Sequence, residues 1–244
     1  RPTLRSRGHY GDITGYYYVD MTRALPFGSS GIFRPSRSRG QCFLRDSNVI
    51  ERIVRVVAPL EKQSFLEIGA GTGELTSYLA REGPRIVAIE TDRLVVNQLM
   101  TNMLPFRNTV RVVYGDVLKT EFEELLKPLG ANRVRVVGNL PYSIASPILL
   151  RLLLENDYFS DLTLMFQEEV AERIVAGPGT KSYGFLSVIA QQAATAELVF
   201  RISPEAFRPR PRVRSALVAF QLKHSKASRI GDPAFFRFLV RSLM

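Results

Sequence analysis

The chain has 244 residues, 45% of them hydrophobic, which suffices to bury the core of one ordinary domain plus an appendage. No apolar run reaches the roughly eighteen residues of a membrane helix, and the start lacks the charged-then-apolar pattern of a secretory signal. One cysteine excludes an internal disulfide and fits a reducing cytoplasm, while a net charge of +10 and a pI near 10.0, carried mostly by arginine, point to a polyanionic partner.

Residues 1–40 are rich in Arg, Gly, Ser and Tyr without a sustained apolar period, and read as an extended or disordered basic arm. The first residue is not methionine, and Met21 is a candidate start. Arg34, Arg37 and Arg39 lie just before the folded part, either as a solvated linker or as an arm touching phosphates. Asp46 then caps a helix whose apolar face repeats through Val49, Ile50, Ile53, Val54 and Val57 until Pro59.

From there strands and helices alternate. Strands are predicted at 64–68, 85–90, 110–114, 133–137 and 162–166, with helices at 74–81, 92–102, 122–126, 147–154 and 168–176. Such alternation predicts a parallel sheet with helices on both faces and ligands at the carboxyl ends of its strands. A further helix is expected at 183–192, and strands at 197–202 and 215–222 that close the sheet as a hairpin-like antiparallel edge. Between them, Arg208-Pro-Arg-Pro-Arg-Val-Arg214 is a semi-rigid basic loop suited to nucleic acid. An amphipathic helix from Asp232 reads as the opening of a small helical C-terminal domain, which gives an arm at 1–40, a catalytic domain at 41–224 and a second domain starting at 225–244.

Gly69-Ala-Gly-Thr-Gly73 departs from the dinucleotide fingerprint, which wants a small residue where this chain has Glu74. Gly69 and Gly71 still allow a ligand against the backbone, and Glu67 offers a carboxylate to a cationic amino-acid group. Glu90, at the end of the second strand of the alternating series, suits two ribose hydroxyls, and Asp116, after the third, suits an adenine amine. Gly138 lets the fourth strand leave the sheet, and Asn139-Leu140-Pro141-Tyr142 follows. Alone this tetrapeptide also reads as a strand-ending turn. Beside Gly69, Glu90 and Asp116 it reads as a corner where acceptors on Asn139 and the backbone grip an exocyclic amine while the Tyr142 ring stacks on its base. The four strand ends together trace a nucleoside with an amino-acid tail. His9 and His224 read as surface residues, and no metal site is expected.

Five segments carry a resemblance: Gly40-Gln-Cys-Phe-Leu44, Glu67-Ile-Gly-Ala-Gly-Thr-Gly73, Gly138-Asn-Leu-Pro-Tyr142, Phe166-Gln-Glu-Glu-Val-Ala-Glu-Arg173 and Tyr183-Gly-Phe-Leu-Ser187. With Ala206-Phe-Arg-Pro-Arg-Pro-Arg-Val-Arg-Ser215, they make the chain from about Arg34 onward similar to the ribosomal small-subunit adenine dimethyltransferases. The resemblance implies a Rossmann-like class I methyltransferase that uses S-adenosylmethionine to dimethylate N6 of two adjacent adenosines near the 3′ end of small-subunit rRNA. It further implies a cytoplasmic monomer acting on assembling small subunits. By position, Gln41, Cys42 and Leu44 would border the cofactor, with Glu67, Gly69 and Gly71 at its methionine part, Glu90 at its ribose and Asp116 at its adenine. Asn139, which also edges the cofactor, would act with Leu140, Pro141 and Tyr142 on the target base, and Arg34, Arg37, Arg39, Arg208, Arg210 and Arg212 would meet RNA. Cys42 departs from the family, which usually has Asn or His there. Two other readings share many of these residues: the large-subunit rRNA methyltransferases of macrolide resistance, and an RNA-binding assembly factor on the same fold.

Overall fold

The structure, a computed structural model, describes residues 16–19, 21 and 42–224. Two short strands, β1 (Tyr16–Tyr18) and β2 (Phe43–Leu44), precede α1 (Ser47–Val57). The alternating series follows as β3 (Ser64–Ile68), α2 (Glu74–Arg81), β4 (Arg85–Glu90), α3 (Arg93–Met103), β5 (Val110–Gly115), α4 (Phe122–Leu126), β6 (Val134–Asn139), α5 (Ala145–Leu154), β7 (Phe159–Gln167) and α6 (Glu168–Val175). It ends with α7 (Phe185–Ala193), β8 (Ala194–Ile202), β9 (Phe207–Arg208) and β10 (Ser215–Leu222). Asp46 caps α1 as its sequence predicts, accepting from the backbone N–H groups of Asn48 and Val49.

The main sheet runs β1-β5-β4-β3-β6-β7-β10-β8, with β3 to β7 all parallel. Alternation along the strands splits the core in two, as a pleat buried on both faces requires. Leu66 and Ile68 pack with residues of α4, α5, α6 and α7, whereas Phe65 packs with residues of α1, α2 and α3.

Three features differ from the sequence reading. The antiparallel edge is more interleaved than a hairpin: β10 inserts between β7 and β8 and runs against both. Within the stretch read as an extended arm, Tyr16–Tyr18 instead forms an edge strand paired antiparallel with β5, and the Tyr18 hydroxyl donates to Leu125 O at 2.5 Å. An exposed edge offers unpaired backbone groups, and any β-rich segment of suitable length can take them. The helix expected from Asp232 lies outside the described residues.

The third difference concerns Gly138, which stays in the sheet, paired with Ile68 on one side and Leu164 on the other. A Cβ there would stand 2.6 Å from Ile68 O. Glycine is therefore needed for close approach of β6 to β3, and the strand continues through Asn139 instead of leaving the sheet at 138. Among the described residues no helix is long and apolar enough to cross a membrane. Gly138→Ala should force the two central strands apart and destabilise the protein by about 1–3 kcal/mol, read as a lower denaturant midpoint at unchanged slope.

Candidate active site

At the carboxyl end of β3 the backbone enters the left-handed region at Gly69 and Gly71, with φ of 70° and 59°. A side chain is strained there, and space is also short: a Cβ on Gly69 would lie 3.1 Å from Asn139 O, and one on Gly71 would lie 2.9 Å from the Phe43 ring. The glycine loop is thus closed in by the end of β6 on one side and by β2 on the other.

Glu90 fastens this loop to β4. Its Oε2 accepts from Gly71 N at 3.0 Å, and its Oε1 accepts from Thr91 N at 2.8 Å and Asp92 N at 3.0 Å. Burial pushes the carboxyl above its ordinary range, against the pull of those three N–H groups. Three of roughly four lone-pair sites are occupied, which leaves room for a ligand hydroxyl. Glu67 has less support. It is 2% exposed, and its Oε2 is buried without a hydrogen bond. Burial raises its pKa from 4.5 to about 8, and the like charges of Glu74 and Glu90 add to the shift. The Thr76 hydroxyl opposes the shift, although Thr76 Oγ1 itself lacks a well-formed hydrogen bond.

Asp116 follows β5 and turns partly back on its own loop, where Oδ1 accepts from Leu118 N at 3.0 Å and Oδ2 stands 3.7 Å from Lys119 Nζ. Its outer lone pairs remain available to an amine.

At the end of β6, Asn139 Nδ2 donates to Cys42 O at 3.0 Å. A carbonyl can only accept, so this contact fixes the amide orientation and leaves Asn139 Oδ1 as the acceptor that the contact does not use. Because the contact uses the backbone of residue 42, the cysteine in place of the family's Asn or His does not interrupt it. Leu140 is buried in the core and anchors the corner, and Pro141 O closes the turn by accepting from Ile144 N at 3.0 Å. The half-buried Tyr142 shares a hydrogen bond with Ser215 Oγ at 2.6 Å. Burial raises the Tyr142 pKa, so the phenol is neutral at physiological pH.

The sequence-predicted residues are therefore distributed as follows. Glu67, Gly69, Gly71, Glu90, Asp116, Asn139 and Tyr142 occupy the carboxyl ends of β3, β4, β5 and β6 or the turns that follow them. Leu44 points into the core and pairs with Phe207, and it is the neighbouring Phe43 that lies over the glycine loop. Gln41, Arg34, Arg37 and Arg39 lie outside the described residues. Of the loop arginines, Arg208 donates to Glu205 O at 2.9 Å and Phe207 O at 2.8 Å, Arg210 pairs with Glu205 at 2.6 Å, and Arg212 is exposed.

Sequence reasoning missed Phe43, Ser215 and a latch centred on Glu74. Glu74 accepts from Arg45 and from the Thr72 hydroxyl, so the residue that broke the dinucleotide fingerprint joins the glycine loop to the segment after β2. Arg45 also lies over the Phe43 ring, 6.0 Å from its centroid. The signal was available, since a charge where a glycine is customary asks for a partner.

A profile of the family described as ribosomal RNA adenine dimethylase matches residues 32–244. The ribosomal RNA small subunit methyltransferase A of Geobacter sulfurreducens is 38% identical over 209 residues, a span covering 86% of this chain and 75% of the relative. The protein of the same name from Geobacter metallireducens is 40% identical over 212 residues, covering 85% and 75%. Among solved structures, a dimethyladenosine transferase from Plasmodium falciparum superposes with a TM-score of 0.71 at 26% identity, over 82% of this chain and 69% of that one. The 23S rRNA methyltransferase ErmE shares the fold, with a TM-score of 0.67 at 24% identity over 82% and 77%. The chain belongs to the ribosomal RNA adenine dimethylase family.

Proposed function

We propose that this chain transfers methyl groups from S-adenosylmethionine to N6 of two adjacent adenosines near the 3′ end of small-subunit rRNA, working as a cytoplasmic monomer on assembling small subunits. The observation that carries the reading is the Asn139 amide, whose nitrogen is held by Cys42 O so that its oxygen is left as the acceptor of a corner that abuts the glycine loop.

The residues around that loop fit the methyl donor. Glu67 Oε2 is a buried acceptor without a hydrogen bond, which an ammonium group would satisfy, and Gly69 and Gly71 leave backbone where side chains would fill the space. When bound, S-adenosylmethionine supplies a methyl group on a sulfonium that needs no further activation. Glu67 would receive its amino-acid end, Glu90 a ribose hydroxyl and Asp116 its adenine amine.

The remaining work falls on the target corner. An exocyclic purine amine is a poor nucleophile because its lone pair is delocalised into the ring. By accepting one amine hydrogen, Asn139 Oδ1 turns that lone pair toward the methyl group, and the Tyr142 ring fixes the plane of the base by stacking. Alignment supplies most of the rate, and the N6 proton released after each transfer would pass to solvent water. The target adenosine must leave any stack to reach Asn139, so flexible or single-stranded RNA is the expected substrate. Arg208, Arg210 and Arg212, with Arg34, Arg37 and Arg39, would hold its phosphates.

Labelled methyl groups should appear as dimethyladenosine on undermethylated small ribosomal subunits. Transfer to large-subunit RNA in their place would overturn the assignment. Asn139→Ala should lower kcat about a hundredfold or more while leaving S-adenosylmethionine binding within about threefold. Loss of cofactor binding as well would make Asn139 a cofactor or folding residue.

Glu67 predicts a pH dependence. Between its ordinary 4.5 and about 8, the folded protein keeps a proton that the unfolded chain has released, so this group makes stability fall as pH rises across that window. An ammonium partner needs the ionised carboxylate, so cofactor affinity should rise as pH goes from about 6 to about 7.5, with one proton released per molecule bound. Glu67→Gln should remove both slopes, checked by denaturant unfolding and by calorimetry in buffers of different ionisation heat.

A further inference from the structure

Loop 209–214 is bounded by β9 and β10, and each end reaches a different residue of the target corner. At its start, β9 pairs antiparallel with β2, Phe43 opposite Arg208 and Leu44 opposite Phe207. Arg45 N and Asp46 N also donate to Ala206 O at 2.7 and 3.2 Å, so the segment after residue 42 is bound to the segment before the loop. Cys42 O, at the edge of that pairing, accepts from Asn139 Nδ2 at 3.0 Å. At the other end, Arg214 O accepts from Glu168 N at 3.0 Å, and the next residue, Ser215, is fully buried and bonded to the Tyr142 hydroxyl at 2.6 Å. Ser215 cannot easily shift, because β10 holds it between Gln167 of β7 and Ile202 of β8.

We propose that Ser215 and the Cys42 carbonyl are positioning groups that hold Tyr142 and Asn139 in fixed register with the two ends of the basic loop 209–214, so that RNA engaging the loop meets a target corner already oriented.

The inference rests on the function proposed above and extends it to how the target corner is ordered. Tyr142 has one hydrogen-bonding atom beyond its backbone, the phenol oxygen. That atom lies on the ring's own rotation axis, so fixing it stops the ring from swinging about χ1, and the preference of a phenol hydrogen bond for the ring plane favours the one plane that a stacking partner needs. Asn139 is in the same position, since the contact of its Nδ2 is what keeps Oδ1, and not the amide nitrogen, toward an amine hydrogen. Neither tether involves a charge, so neither competes with the ionic contacts by which the arginines would take up phosphate. Arg212 is the exposed guanidinium in the middle of the loop, separated by two residues from Ser215.

The test is a double-mutant cycle on the whole chain with undermethylated small subunits as substrate, active wild type serving as the control for the function itself. Ser215→Ala and Tyr142→Phe should each lower kcat on the order of tenfold, and the double variant should be no slower than either single, because both remove the same contact. Binding of S-adenosylmethionine should change by less than about twofold in all three. Arg212→Ala should lower kcat as well as raise KM for the subunit, where a contact that only adds affinity would raise KM alone. A neutral Ser215→Ala, multiplying effects in the double variant, or an Arg212→Ala change confined to KM would each overturn the inference while leaving the methyltransferase activity in place. Tyr142→Phe keeps the buried Ser215 intact and gives the cycle a readout that does not depend on how the core tolerates alanine at 215.

Discussion

The site depends on how closely β6 can lie against β3. A Cβ on Gly138 would stand 2.6 Å from Ile68 O, and just past the end of β3 a Cβ on Gly69 would stand 3.1 Å from Asn139 O. A glycine on β6 and another just past the end of β3 let the two loops that follow these strands meet at one boundary. The loop after β3 is open backbone suited to a small cationic ligand, and the corner after β6 presents an amide acceptor and a ring. Methyl transfer requires donor and acceptor in line within a few ångströms, and side chains at these positions would separate them. The glycines thus serve alignment through packing, before any electrostatic term is considered.

Electrostatics then divides the two loops. Glu67 and Glu90 are buried beside one another's field, with burial raising both above the ordinary carboxylate range. Glu90 is compensated by three backbone N–H groups, whereas Glu67 retains a buried oxygen without a hydrogen bond. That asymmetry suits a ligand with a neutral sugar at one end and a cation at the other. The target corner, by contrast, is neutral: an amide held by a carbonyl and a phenol held by a hydroxyl. A neutral amine hydrogen needs only a neutral acceptor, and a carboxylate here would carry a desolvation cost that the reaction does not need.

Most of the sheet was legible because each element carries its own periodicity. The apolar runs at 64–68 and 85–90 become β3 and β4 with those bounds, and Asp46 caps α1 as read. The failures share a cause, which is information held across the fold instead of along it. Two residues cannot show a period, so β2 and β9 were invisible as strands although their pairing positions Cys42. Gly138 was read as an exit from the sheet because the residue that requires it, Ile68, is seventy positions earlier in the chain. Ser215 carries no motif of its own, and its partner Tyr142 is separated from it by 73 residues. Tyr16–Tyr18 lies outside the residues matched to the family, where neither a motif nor a long apolar run marks an edge strand.

The positive charge was the least specific sequence signal, and the structure shows why it divides. Arg135 is bound to Asp161 at 2.9 Å and to Val57 O at 2.7 Å, and Arg151 bonds Glu155 at 2.8 Å. These guanidiniums stabilise the ends of helices and strands, and a phosphate could reach them only by displacing a carboxylate that is already well placed. In loop 209–214 the proportions differ, since the carboxylates of Glu205 and Glu168 face Arg210 and Arg214 while Arg212 is exposed between them. The ion pairs of Arg210 and Arg214 are solvent-exposed and can exchange for phosphate at little cost. A basic loop held by exposed, replaceable ion pairs is suited to taking up RNA, whereas one fixed by buried pairs would be suited only to folding. The proposed grip on a polyanion therefore rests less on the net charge of +10 than on which few of the arginines have weak partners.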